Sequence, residues 1–157
     1  MITPCILGLA TPDDLNELLP LIQGYQAFYE ITNVDQAQTR RFFGAVIATP
    51  SEGFIMVARS EGRMIGFASA YITLSGYLAQ RVVHLGDLFV HPDERHRGTG
   101  RALIQGVSNH AQTLGINITR WLTSPTNTTA HRLYDSLGAV PSDLRLYLLH
   151  HRGETAG

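Results

Sequence analysis

The chain has 157 residues, 44% hydrophobic and 16% charged, with a formal net charge of -1 at pH 7 and one cysteine. That length can bury about two-thirds of the unfolded surface without staples, the lone cysteine excludes an internal disulfide, and the near-neutral charge argues against a general nucleic-acid partner. No apolar run is long enough for a bilayer, and Met1 to Cys5 lacks the basic-then-apolar pattern of a signal peptide, so a cytoplasmic chain without a membrane partner is expected.

Strand and helix periods alternate along the chain without repeats, low complexity or a linker. Ile2 to Leu9 reads as a strand, with Cys5 a small apolar side chain in it. Thr11-Pro12-Asp13-Asp14 supplies a helix cap, with proline in the first turn and acids against the dipole. The helix that follows turns Leu15, Leu18, Leu19, Ile22 and Tyr25 to one side, and Pro20 is expected to kink or divide it. Asp35 to Ala48 forms a second helix with Phe42, Phe43, Val46 and Ile47 inward. Phe54 to Arg59 and Met64 to Thr73 are strands joined by a tight turn at Glu61-Gly62, and Arg81 to Val90 is a fourth. A third helix spans Ala102 to Leu114, with Leu103, Val107, Ala111 and Leu114 as its buried stripe. Trp121 marks a fifth strand near Asn117 to Thr123, Thr126 to Leu137 is a fourth helix, and Leu144 to His150 is a closing strand. These elements make one domain over residues 1–152, with 153–157 a flexible tail.

Between the fourth strand and the third helix lies Arg95-His-Arg-Gly-Thr-Gly-Arg101. Gly98 and Gly100 carry no Cβ, so the backbone can turn tightly and bring its N–H groups against phosphate oxygens. The first N–H groups of the following helix have no partner inside it. Arg95, Arg97 and Arg101 can add charge-assisted, bidentate bonds, so the segment reads as a cradle for a pyrophosphate. The bland alternative is a surface loop with two turn glycines, against which stand the strand before it and the helix after it. The chain has no Gly-Lys-Ser/Thr for a P-loop and no full Gly-x-Gly-x-x-Gly with a later acid for a dinucleotide fold.

The run Asp87 to Leu103 resembles the acetyl-CoA-binding motif of the GNAT superfamily of N-acetyltransferases, Arg/Gln-x-x-Gly-x-Gly/Ala, with Arg95, Gly98 and Gly100 at its fixed positions. Asn127-Thr-Thr-Ala-His-Arg-Leu-Tyr134-Asp-Ser-Leu-Gly138 is similar to the superfamily's Asn-x-x-Ala-x-x-x-Tyr-x-x-x-Gly segment. The resemblance implies an α/β (α+β) fold: a mixed, mostly antiparallel sheet of six to seven strands, about four flanking helices, and a splay between the fourth and fifth strands. It also implies acetyl-CoA as cofactor, bound by Leu88, Phe89 and Val90 through their main chain, by His96, Thr99 and the rest of the loop, and by Asn127. A backbone N–H near Val90 would polarise the thioester carbonyl.

Two catalytic roles follow from the same resemblance. Tyr134 matches the superfamily's proton donor, and a phenol of pKa about 10 can protonate a departing thiolate. Asp87 looks equivalent to an aspartate of polyamine acetyltransferases and is the first candidate for the base, ahead of His84 or water. Strict strand alternation sets Asp87 and His84 on opposite faces. Gly66 to Tyr71 resembles the polyamine and thialysine acetyltransferase branch, which has Glu-Asp where this chain has Gly86-Asp87, so one of two carboxylates for a polycation is missing. Tyr25, Tyr29 and Tyr71 are the candidate acceptor-binding side chains. A small-molecule primary amine, an amino acid or polyamine-like compound, is the expected acceptor, with protein acetylation or a non-catalytic acyl-CoA-binding module as alternatives. Relatives often dimerise, so the resemblance also implies a homodimer. The histidines show no paired metal spacing beyond His150-His151, and no metal is expected.

Overall fold

A computed structural model describes residues 4–151 of the chain. They fall into two compact units, one ending at Leu122 and one beginning at Thr123.

In the larger unit, five strands form a single sheet in sequence order: β1 (Ile6–Leu9), β2 (Gly53–Ser60), β3 (Arg63–Ser75), β4 (Gln80–Val90) and β5 (Thr119–Arg120). The first three neighbouring pairs are antiparallel, whereas β4 and β5 are parallel. Glu61 and Gly62 join β2 to β3 with φ of 50° and 80°. Two consecutive left-handed residues give the turn whose twist matches a hairpin, which is why this pair reads so clearly in the sequence.

Helices α1 (Leu15–Phe28) and α2 (Gln36–Ala48) bury Leu18, Leu21, Ile22 and Phe43 against Ile55, Val57, Phe67 and Phe89 on one face of the sheet. Asp35 caps α2 by accepting from the amides of Ala37 and Gln38 at 2.9 and 3.1 Å. On the other face lies α3 (Thr99–Thr113), so close that a Cβ on Gly106 would stand 2.8 Å from Leu7 and 3.3 Å from Met56. Arg59 ties the start of α1 to the sheet, donating to Asp14 and Glu17 at 2.7 Å each.

Several expectations change. Pro20 does not divide α1, which is continuous over Leu15–Phe28. Burial of Leu18, Leu21 and Ile22 around it, about 1.5–3 kcal/mol each, offsets the loss of one helical bond. Phe42 is exposed and stacks on Tyr71 with ring centroids 6.2 Å apart, while its neighbour Phe43 takes the core position. The first strand starts at Ile6, after Cys5, and Ile2 and Thr3 lie outside the described residues. The fifth strand stops at Arg120, before Trp121. Helix α3 begins at Thr99 rather than Ala102, so Gly100 and Arg101 belong to its first turn.

The smaller unit contains α4 (Thr128–Ser136), capped by Asn127, whose side-chain oxygen accepts from the Ala130 amide at 3.2 Å. The strand expected at Leu144 to His150 is not formed. A strand needs a partner edge, and within its own unit this segment has only a helix beside it in the chain. The described residues therefore give five strands where six to seven were expected. The expected tail at 153–157 lies outside the described residues.

Candidate active site

The ladder between β4 and β5 is two pairs long, Val83 with Thr119 and His84 with Arg120. Beyond His84 no described strand pairs with that side of β4, so its edge from Leu85 to Val90 is split from β5. Leu88, Phe89 and Val90 lie along this split edge, while on the other side they pair with Ala68, Phe67 and Gly66.

A single 3-10 turn, Pro92–Glu94, leads from β4 into the loop. His96 has φ of 62° and Gly98 φ of 82°, so two left-handed residues curl the backbone immediately before α3. Histidine enters that region more readily than most residues but less easily than glycine. Gly98 is the N-cap of α3, and a Cβ on Gly98 or Gly100 would meet nothing within 4 Å. The open space over the two glycines and the first-turn N–H groups below it fit a diphosphate.

The arginines of this loop are placed differently from one another. Arg95 donates from Nε to the Val90 carbonyl at 2.9 Å, and its guanidinium lies 5.3 Å from the Phe28 ring and 5.4 Å from the Phe89 ring. It thus pins the loop to the end of β4 and to α1. Arg97 pairs with Glu94 at 2.9 Å, and Glu94 also holds Arg63 at 2.8 Å, which tethers the loop to β3. Thr99 is buried at the start of α3, and Arg101 follows in the first turn.

Asp87 lies on the face covered by α1. Ser69, fully buried, and Tyr71 both donate to its Oδ2, the tyrosine at 3.3 Å. Tyr25 stacks edge-on against Phe67 and Phe89 at 6.1 and 6.3 Å, and against Tyr29 at 5.0 Å. Burial, and after it the charge of Asp87, raises the Tyr25 phenol well above its ordinary value. Tyr71 is pushed up to about 12, by burial first, with the Ser69 hydrogen bond pulling down and Asp87 pushing up. Both phenols therefore stay neutral at pH 7 beside a carboxylate, in a setting suited to a cation.

The register around Asp87 overturns the expectation for His84. Ser69 pairs with Asp87 but Ala70 pairs with Leu85, so Gly86 is an extra residue in β4, a bulge. His84 pairs with Tyr71, two residues from Ser69, and so His84 and Asp87 share one face. Burial, and after it the charge of Arg120, lowers the His84 pKa below its usual value, with Asp87 opposing. An isolated glycine within a strand pattern is itself a bulge signal, and Gly86 carried it. Ser69 and Arg120 had no such signal, because a serine or arginine in a strand is ordinary surface chemistry.

A Cβ on Gly86 would lie 2.4 Å from Cε2 and 3.0 Å from Cδ2 of Tyr71. The bulge is thus filled by the tyrosine ring. Gly86→Ala is expected to lower stability by about 1–3 kcal/mol and to lose most of that cost in a Tyr71→Ala background, as read by denaturant unfolding. An equal cost in both backgrounds would mean that the contact is not what the glycine serves.

An open, glycine-lined helix N-terminus that fits a diphosphate, beside a split strand edge and a hydrogen-bonded carboxylate on that same strand, suits a group-transfer enzyme. The model of the Acetyltransferase (GNAT) family matches residues 18–139, and the chain belongs to that family of N-acetyltransferases, whose acetyl donor is acetyl-CoA. It is similar to the D-amino-acid N-acetyltransferase HPA3 of Saccharomyces cerevisiae, 30% identical over 87% of this chain and 84% of that protein. The uncharacterized N-acetyltransferase YhfO of Bacillus subtilis is also 30% identical, over 82% of this chain and 85% of that protein. Among solved structures, a probable acetyltransferase superposes with a TM-score of 0.82 at 26% identity, covering 95% of this chain and 99% of the other. The fold is also that of aminoglycoside N-acetyltransferase AAC(6')-Iy in complex with CoA, with a TM-score of 0.78, 23% identity and 95% of each chain covered.

Proposed function

We propose that this N-acetyltransferase acts on a primary amine of a small molecule, by direct attack in a ternary complex. The observation that carries the reading is the Asp87 carboxylate, accepting from Ser69 and Tyr71 on the strand whose opposite edge is split from β5. The names of relatives support a small acceptor, since HPA3 is a D-amino-acid N-acetyltransferase and AAC(6')-Iy acts on aminoglycosides. Gly66 to Tyr71, the segment that resembles the polyamine branch, is the part of β3 that presents Ser69 and Tyr71 to Asp87. With glycine at 86, however, β4 offers one carboxylate there and not two.

Acetyl-CoA, when bound, supplies the acetyl group as a thioester. The amides of Gly98, Thr99 and Gly100 would hold its diphosphate, and the main chain of Leu88 to Val90 would align the arm that follows. A backbone N–H near Val90 would steady the thioester's carbonyl oxygen. Asp87 receives the acceptor's ammonium, and neighbouring His84 accepts one of its protons, being neutral at pH 7 because its pKa is depressed. The nitrogen lone pair then forms the N–C bond as the C–S bond breaks, and the excess proton that the nitrogen still carries passes to solvent, from which the Tyr134 phenolate recovers its own. Tyr134 gives its phenolic proton to the departing sulfur, a role that rests on its motif position.

Thiol release from acetyl-CoA, screened over small amines and peptides, tests the proposal. Turnover confined to peptides would replace it with protein acetylation, and stoichiometric binding without turnover would leave a sensing module. The base has its own signature. Because the folded-state pKa of His84 is lowered, its proton-accepting form is fully present at pH 7 and is lost as pH falls below the ordinary histidine value of 6.5. We expect an acidic limb in kcat/KM there that His84→Gln removes; an unchanged limb would return the role to Asp87 or water.

A further inference from the structure

We propose that Asp87 and Arg120 are the two poles of the acceptor site and that the acceptor is a zwitterion, an α-amino acid with its ammonium on Asp87 and its carboxylate on Arg120. The inference rests on the small-amine reading above and narrows it. Directly paired residues in a sheet project to the same face. His84 is paired with Arg120 on β5 and with Tyr71 on β3, and Asp87 is paired with Ser69, two residues from Tyr71. The Gly86 bulge is what brings Asp87 into this row. Strand spacing of about 4.8 Å and a rise of about 3.3 Å per residue put the Cα atoms of Asp87 and Arg120 about 8 Å apart. An amino acid fits between two such side chains when each reaches one charged end of it.

Electrostatics agree with this placement. His84 feels both poles, Arg120 lowering its pKa and Asp87 raising it. The remaining members of the row, Ser69, Tyr71 and Gly86, are neutral, so the row contains one anion and one cation. A diamine would bring its second ammonium toward the Arg120 guanidinium, where it is repelled. A carboxylate there gains a planar, bidentate donor.

The experiment compares kcat/KM for α-amino acids of both hands, their carboxamides, and diamines of similar length, with acetyl-CoA saturating. The wild-type protein is expected to prefer the free acid to its amide by about tenfold or more. At pH 8, where His84 is neutral with or without the Arg120 charge, Arg120→Gln should lower kcat/KM for the acid by about tenfold, mainly through KM, and leave the amide within about twofold. Arg120→Lys should restore part of the loss, since it keeps the charge without the fork. Arg120→Glu should turn the preference toward the diamine. Equal use of acid and amide by the wild-type protein, which needs no variant, would overturn the proposal, as would equal losses for both in Arg120→Gln. Turnover of simple amines but no zwitterion would overturn it and leave the small-amine reading standing, whereas no turnover with any amine would remove both.

Discussion

Tyr134→Phe is expected to lower kcat by about 100-fold or more while the dissociation constant for acetyl-CoA stays within about twofold. The substitution removes one hydroxyl and keeps the ring, so the packing of α4 is preserved. A coenzyme thiolate leaving without a proton is a strong nucleophile that can reclaim the acetyl group. A phenol with pKa about 10 is matched to a thiol near 8.5–10 and can deliver its proton as the C–S bond lengthens. Loss of the acid raises only the barrier to the chemical step, hence the split between turnover and binding. Single-turnover rates and calorimetric titration with acetyl-CoA measure the two halves. An unchanged kcat would remove Tyr134 as the acid.

The second large effect is expected at Gly100. A Cβ there meets nothing within 4 Å, so the Gly100→Leu side chain leaves the backbone without a clash at its first atom, and leucine favours a helical first turn. The same side chain would occupy the space through which a diphosphate approaches the N–H groups of α3. Losing two charge-assisted bonds of about 1.5 kcal/mol or more each raises the acetyl-CoA dissociation constant about 100-fold. The melting temperature of the free protein should hold or rise. Gly98→Ala is a different case, since φ of 82° strains any side chain and lowers stability as well. Undiminished acetyl-CoA binding by Gly100→Leu would show that the loop is not the cradle.

The parts of the molecule that were legible in the sequence are those in which one residue type answers one local demand. Glu61-Gly62 marks a hairpin because both positions need positive φ, and Asp35 and Asn127 mark helix starts because their oxygens cap free amides. Gly98 marks the tight turn before α3 for the same reason, with φ of 82°. What was not legible depends on register, which is a relation between strands. Alternation counted along β4 separates His84 from Asp87, and only the extra residue at Gly86 reunites them. Arg95 and Arg97 read as phosphate ligands by charge alone, yet the partners that hold them, Val90, Phe28, Phe89 and Glu94, are set by tertiary packing. Leu144 to His150 alternates as a strand should, but alternation cannot supply a neighbour.

The two-pair ladder between β4 and β5 has a consequence for how the protein must be handled. A strand flank left without a neighbour is a template on which a second polypeptide can add itself. On the proposed reading the carrier would lie in that gap, so it would cover the template and also shift the unfolding equilibrium, by about 2.7 kcal/mol at 100 times its dissociation constant. Light scattering during heating should accordingly begin at a higher temperature when coenzyme A is present throughout, and the benefit should vanish in Gly100→Leu.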